Sequence, residues 1–274
     1  MGQADLVNER SESTSPATRL QTGGFRRGAQ TLHRAMLILR HVAEGGTDGR
    51  RVVEIAKEVG LHAATTNRLL VALASEGLVE QVKENRRYRL GPEIHGLNLK
   101  ATRSLSIERQ LRPAMRRLAE ETQDTIFLMI RSGFTGVCIG RDQGSYPVRA
   151  MTLDLGDRRP LGVGSGSLAL LAFSQDFEVD ELVHANAEAY RQFNTNIDEI
   201  LALVERTRRD GYALNDERTV RHVSSVALPI YSRSRRVVAA ITVSSLTERM
   251  ALPRRAEILA RMEREIALVS PLPD

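Results

Sequence analysis

The stretch from Val52 to Ser75, VVEIAKEVGLHAATTNRLLVALAS, decides the reading of this chain. Val52 to Val59 is a short amphipathic run with Val53, Ile55, Ala56 and Val59 as candidate core positions, and Gly60-Leu61 breaks it. A longer helix is expected from about Ala63 to Ser75, because Thr66, Leu69, Leu70 and Leu73 fall at i, i+3, i+4 and i+7 and share one face. The opposite face carries Ala64, Thr65, Asn67 and Arg68. A short helix, a glycine turn and a second helix make a helix-turn-helix, in which the first helix braces the second and the second lays its outer face in the major groove. The small residues Ala63 and Ala64 permit close approach at the helix start. Asn67 suits adenine, Arg68 suits guanine, and Thr65 can serve phosphate or base.

Working outward, Leu32, Ala35, Met36, Leu39, Val42 and Ala43 recur at helical spacing, and Glu44-Gly45-Gly46 ends that run. On the other side, Leu78 to Val82 and Tyr88 to Leu90 flank a polar tip, which predicts a hairpin. Such a hairpin serves as a wing, and Arg86 and Arg87 at its tip suit phosphate or minor-groove contact. Gly91-Pro92 punctuates the chain, and Glu93 to about Arg103 reads as a connecting helix.

The charge distribution agrees. The 274 residues carry a net charge of +5, yet Phe25 to Arg103 alone holds 14 Lys and Arg against 8 Asp and Glu. The rest of the chain beyond Arg103 is balanced, with 23 of each sign. A basic module joined to a neutral one is the footprint of nucleic-acid binding, although a solvated basic face would look the same. Two compact domains suit the length. Residues 1–24, rich in Ser, Thr, Gln and Gly, read as a disordered tail, and Phe25-Arg26-Arg27-Gly28 reads as a flexible leader or a backbone-contacting arm.

Beyond Ile107 the pattern changes. Helices are expected at Ile107 to Thr122, Leu168 to Phe173, Val179 to Ala187, Ile197 to Asp210 and Ala256 to Val269. Strands are expected at Thr125 to Ile130, Gly136 to Arg141, Val148 to Leu153, Ser224 to Ile230 and Val237 to Ser245. This grouping predicts an α+β sensor-like domain. Pro160 to Ala172, PLGVGSGSLALLA, is a glycine-rich turn running into an apolar helix. Its backbone N–H groups could hold an anion such as a carboxylate, or the segment could be a tight turn packed on a strand. It is not a Walker loop, because no Gly-Lys-Ser/Thr follows.

Other chemistry finds little support. Cys138, the one cysteine, sits in an apolar run and reads as a small buried hydrophobe; no intrachain disulfide and no cysteine zinc site is possible. His62, His184 and His222 lack metal-ligand spacing, and Asp216-Glu217 reads as a solvated turn. Hydrolase, zincin and dinucleotide fingerprints are absent. No catalytic residues, metal or cofactor are expected. Without a membrane span or an apolar signal core, a cytoplasmic protein is expected.

Several motifs carry a family resemblance. TLHRAMLIL from Thr31, EIAKEVGL from Glu54, TTNRLL from Thr65 and YRLG from Tyr88 resemble, in order and spacing, the DNA-binding domain of IclR transcription regulators. The resemblance continues through Arg112-Pro113, LAEET from Leu118, Gly211-Tyr212-Ala213 and the strand from Val237. It implies a winged helix-turn-helix over residues 25–91, a linker helix over 92–104 and a GAF-like α/β effector-binding and oligomerisation domain over 105–274. It also implies a dimer or dimer of dimers on a pseudo-palindromic double-stranded operator, repressing or activating catabolic genes in response to a small organic acid or aromatic metabolite. Carried over motif by motif, the effector-binding positions are Ser165 and Gly166 in the glycine loop, Asn215, Ser225, Thr242 and Ser244. The family often has His where Gly162 stands, Lys at Leu168, and Asp and Cys at Asn215 and Ser225, so a different effector from the family's small acids is implied. Two other readings remain open from sequence: an interaction or ligand-binding module that does not touch DNA, and an enzyme acting on a small acid.

Overall fold

The computed structural model describes residues 27–100 and 102–272. The predicted tail, together with Phe25 and Arg26 of the basic leader, lies outside the described residues. The chain divides into two compact units, with the boundary between Gly91 and Pro92.

The first unit contains α1 (Arg27–Glu44), α2 (Val52–Val59), α3 (Ala63–Ser75) and the hairpin β1 (Val79–Gln81) and β2 (Tyr88–Leu90). Glycine ends α2 for a conformational reason: Gly60 sits at φ 65°, and the N–H of Leu61 returns to the Ala56 carbonyl at 3.0 Å. This sharp stop starts α3 three residues later. Leu69, Leu70 and Leu73 of α3 pack with Ile55 and Ala56 of α2 and with Ile38, Leu39 and Val42 of α1 as the buried set of this unit. The predicted α1 face is only partly right. Leu32 and Met36 stay 66% and 39% exposed, whereas Leu37 and Ile38 are buried. Val53, expected in the core, is 63% exposed. Helix α1 packs against α2, α3 and β2, and its edge with Leu32 and Met36 is left uncovered by the described residues of this unit.

The second unit opens with α4 (Pro92–Lys100) and α5 (Thr102–Thr122). Residues 102–104, assigned from sequence to the linker, belong to α5. A six-stranded antiparallel sheet follows, from β3 (Thr125–Ser132), β4 (Thr135–Gln143), β5 (Arg158–Pro160), β6 (Ala213–Asp216), β7 (Val223–Tyr231) and β8 (Val237–Leu246), in the order β5-β4-β3-β8-β7-β6. Helices α6 (Ser165–Ala172), α7 (Asp176–Ala185), α8 (Ala187–Arg191) and α9 (Ile197–Asp210) lie between β5 and β6 in the chain, and α10 (Leu252–Ala267) closes it.

Strand alternation sends side chains to two cores. Ile126, Leu128, Val226, Leu228, Ile241 and Val243 meet Leu111, Met115 and Leu118 of α5 and Ile258 and Met262 of α10. Met129, Ala213, Ala227 and Ala240 face α6, α7 and α9, where Leu168, Leu171, Val183 and Val204 pack. The sheet is therefore covered on both faces, as its apolar strands require.

The expected strand at Val148 to Leu153 does not form. The outer edge of β4 is occupied instead by β5, which pairs Arg158 with Val137 and Pro160 with Thr135. The backbone of Cys138 continues that contact by bonding Asp157 and Gly156. With the edge filled, Val148 and Met151 remain exposed in a loop.

Candidate nucleic-acid interface and internal cavities

The buried stripe of α3 is Thr66, Leu69, Leu70 and Leu73, so its other face is left to solvent. Ala63, Ala64, Asn67 and Arg68 are exposed and Thr65 is half-buried. All five lie in the first two turns, the part of a recognition helix that reaches base edges. The sequence places them together and the structure keeps them free of intramolecular side-chain contacts that would occupy the Asn67 amide or the Arg68 guanidinium among the described residues.

The two wing arginines differ. Arg86 is exposed at the hairpin tip with φ 57°, its backbone N–H bonded to Val82. Arg87 turns back: its guanidinium donates to the Gly49 carbonyl at 2.8 Å and lies 3.7 Å from Glu54. Glu54 in turn accepts from the N–H of Arg51 at 2.9 Å, at the start of α2. Arg50 and Tyr88 exchange backbone hydrogen bonds at 2.9 and 2.8 Å, adding a third strand segment to the wing. Arg87 is thus a strut between wing and α2, and Arg86 is the wing's outward cation. A Cβ on Gly49 would meet the Tyr88 carbonyl at 2.7 Å, so only glycine lets these backbones approach.

In the second unit five of the six sequence-predicted positions, Ser165, Gly166, Ser225, Thr242 and Ser244, converge on a small cavity between the sheet and α6. Its floor comes from sheet register: Ser225 pairs with Ser244, Ser244 with Thr125, Ala227 with Thr242, and Thr242 with Phe127. Small and polar side chains therefore share one face of three neighbouring strands. Ser165 and Gly166 close the cavity from above. The structure corrects their setting: they form the first turn of α6, and the glycine turn is Gly162 to Gly164, with φ of 98° and 78° at its glycines. Ser165 Oγ and Ser225 Oγ are 2.7 Å apart. Thr242 Oγ1 and Ser244 Oγ have no hydrogen-bond partner although the residues are only 5% and 2% exposed. A buried unpaired hydroxyl costs about 1–3 kcal/mol, so these two leave unused hydrogen-bonding capacity on one wall of the cavity.

This inner cavity measures about 30 Å³ and is also lined by Phe127, Met129, Leu153 and Arg159. Asn215 does not belong to it. It lines an outer cavity of about 300 Å³ with Leu168, Phe193, Leu203, Leu214 and Arg218. Val163, Gly164 and Thr219 line both cavities, and Asn215 donates to Thr219 Oγ1 at 3.0 Å. Among the described residues, no group of three or more His, Cys, Asp or Glu is placed to hold a metal, and no helix is long and apolar enough to cross a membrane.

Comparison with known proteins agrees with this architecture. Residues 31–83 match the family model of the IclR helix-turn-helix domain. Residues 99–268 match that of the bacterial transcriptional regulator IclR C-terminal domain. The chain belongs to the IclR family. It is a DNA-binding transcriptional regulator. Among its relatives, the HTH-type transcriptional regulator XynR of Escherichia coli K12 is 29% identical over 228 residues, which cover 81% of this chain and 88% of XynR. The transcriptional repressor IclR of the same organism is 26% identical over 254 residues, covering 90% and 89%. A solved chain from Silicibacter sp. TM1040 assigned to the IclR regulators superposes with a TM-score of 0.72 at 25% identity, covering 88% of this chain and 94% of that one. An IclR regulator from Alicyclobacillus acidocaldarius gives 0.69 at 20% identity, covering 88% and 97%.

Among the residues of this IclR regulator's cavities that sequence reasoning did not pick out are Arg159 and Phe193. Arg159 stands beside the inner cavity on a three-residue strand, and Phe193 stands in the outer one beyond α8. The Arg159 guanidinium lies 5.2 Å from the Phe193 ring centroid. No motif marks either. The one available signal was Arg158-Arg159 itself, two cations on one short strand, which alternation must send to opposite faces.

Proposed function

We propose that this IclR-family regulator binds a double-stranded operator through the outer face of α3, with Ala63, Ala64 and Thr65 at the groove floor, Asn67 and Arg68 reading base edges, and Arg86 on the backbone. Arg87 positions the wing. The observation that carries this is the exposure of Asn67 and Arg68 on the face of α3 away from its buried leucine stripe. A small-molecule effector occupies the paired cavities bordered by Ser165, Gly166, Asn215, Ser225, Thr242 and Ser244, and the two unpaired hydroxyls support that reading. Effector binding changes operator affinity because it favours one arrangement of the regulator over another, typically by about 1–3 kcal/mol. The exposed apolar residues Leu32 and Met36 on α1, and Leu97 and Leu99 on α4, support association of copies, and a two-fold assembly requires a pseudo-palindromic site.

The test is selection of duplexes from a random pool by the full-length protein. An inverted repeat with half-sites about one helical turn or a multiple apart is expected. A pool that stays unenriched after several rounds in low salt overturns the proposal.

A further inference from the structure

Resting on the reading of the cavities as an effector site, we propose that Arg159 is the anchor for a carboxylate, and that the effector is a monocarboxylic acid with an apolar, ring-sized body. Its head sits at the inner cavity between Arg159 and the hydroxyls of Thr242 and Ser244, and its body lies in the outer cavity against Phe193, Leu203 and Leu214.

Three observations support this assignment. First, Arg159 is a half-buried cation with no ion-pair partner among the described residues, whereas the arginines on nearby elements, such as Arg141 and Arg218, are paired. Its guanidinium donates to the Thr152 carbonyl at 3.2 Å and rests near the Phe193 ring, which leaves donors of its five-donor fork unused. Burial pulls its pKa below the usual arginine value, and the neighbouring Asp157 offsets this only in part. Second, the inner cavity is lined by hydroxyls that can donate and by no carboxylate: Thr242 Oγ1 and Ser244 Oγ are unpaired, and the first turn of α6 opens at Ser165. Donors gathered round a cation fit an oxyanion better than a cation or a neutral acceptor pair. Third, the two volumes differ tenfold. At about 30 Å³ the inner cavity is the smaller compartment, with room for one or two water-sized groups and so for a compact head group. About 300 Å³ is the lower end of the range for small-molecule sites and takes a ring or short chain. Leu168, Phe193, Ile200, Leu203 and Leu214 give it an apolar side beside the polar Asn194, Thr195 and Asn215, and the Phe193 ring brings that side next to Arg159. Arg218 at the outer site is exposed and paired with Glu199 at 3.2 Å, which leaves Arg159 as the more buried cation beside the cavities.

The experiment measures thermal stability and calorimetric binding of the full-length chain with benzoate, phenylacetate and hexanoate, each beside its primary amide. At least one acid is expected to bind and stabilise the wild type while its amide does not. Arg159→Met is expected to weaken that acid about 30-fold or more, with Arg159→Lys in between, because lysine keeps the charge but not the fork. The ligand-free Arg159→Met chain is expected to melt no lower than the wild type, since the cation is held for a ligand and not for the fold. The anchor is overturned if acid and amide bind alike, if Arg159→Met leaves acid binding intact, if no acid binds, or if the ligand-free variant melts much lower. Thr242→Val separates the two levels. Acid binding lost in Thr242→Val but kept in Arg159→Met retains the cavity and removes the anchor, whereas acid binding kept in both removes the cavity itself.

Discussion

Ser165 Oγ and Ser225 Oγ meet at 2.7 Å, joining the first turn of α6 to the middle of β7 across sixty residues of chain. Both residues are buried, and both also border the inner cavity. The contact adds a polar link at the start of α6 to the apolar packing that holds this helix on the sheet.

Ser225→Ala removes one hydroxyl and leaves the other buried without its partner. A loss of about 1–3 kcal/mol is expected in urea unfolding of the ligand-free protein. The double variant Ser165→Ala, Ser225→Ala should lose less than the sum of the two single changes, because the orphan is gone. Additive losses would show that the pair is not coupled.

Gly166→Ala tests the cavity by filling it. A Cβ there would stand 2.6 Å from Met129 Sδ and 2.8 Å from Thr242 Oγ1. The methyl group must displace Met129 or occupy the head-group space. Any compound that raises the melting temperature of the wild type is expected to have no effect on this variant. Equal stabilisation of both chains would place the ligand elsewhere.

Asp124 fastens the end of α5 to the C-terminal elements. Its buried carboxylate accepts from Arg249 at 3.2 Å and from Arg254 at 2.6 Å, and both arginines also donate to the Thr122 carbonyl. Arg249 stacks 3.8 Å from the Tyr146 ring centroid as well. Removing one partner of a buried ion pair costs about 3–5 kcal/mol, and the partial exposure of the arginines points to the lower end of that range for Asp124→Ala. A loss under about 1 kcal/mol in chemical denaturation would mean that solvent already carries these charges.

Cys138 gives a prediction in pH. Burial pushes its thiol up to about 12, with the Gly140 carbonyl only 3.5 Å from Sγ. The folded chain therefore holds the proton over a range where the unfolded chain, titrating near the ordinary value of about 8.5, has released it. The resulting contribution to stability is fully present below that ordinary value and is lost as pH rises toward 12. Buried Tyr190, raised in the same direction by burial, adds to the loss at higher pH. A thiol reagent at pH 8 is expected to label only unfolded protein; rapid stoichiometric labelling of the native chain would contradict this.

Much of the DNA-binding unit was legible because its signals are local. Gly60 and the leucine spacing of α3 gave two helices to the residue, and two β-prone runs around a polar tip marked the hairpin. The face of α1 was misread because burial there depends on which neighbours arrive, and Leu32 and Met36 have the same period as Ile38 and Val42. The cavity residues Ser165, Gly166, Ser225, Thr242 and Ser244 came from family motifs, and register then brought them together. Asn215 fell into the adjoining cavity, because its strand β6 is the edge next to β7 and reaches the outer compartment. Arg159 escaped notice because β5 is three residues long and pairs only at an edge. The same edge explains why the apolar run at Val148 was mistaken for a strand.

The most direct test of the central claim compares wild type, Asn67→Ala and Arg68→Ala on a duplex recovered by selection and on a scrambled duplex, by fluorescence anisotropy at several salt concentrations. Each variant is expected to lose about 1–3 kcal/mol on the selected duplex and little on the scrambled one, with binding to both falling steeply as salt rises. Unchanged affinity of both variants for the selected duplex would contradict the assignment of α3 as the helix that reads DNA.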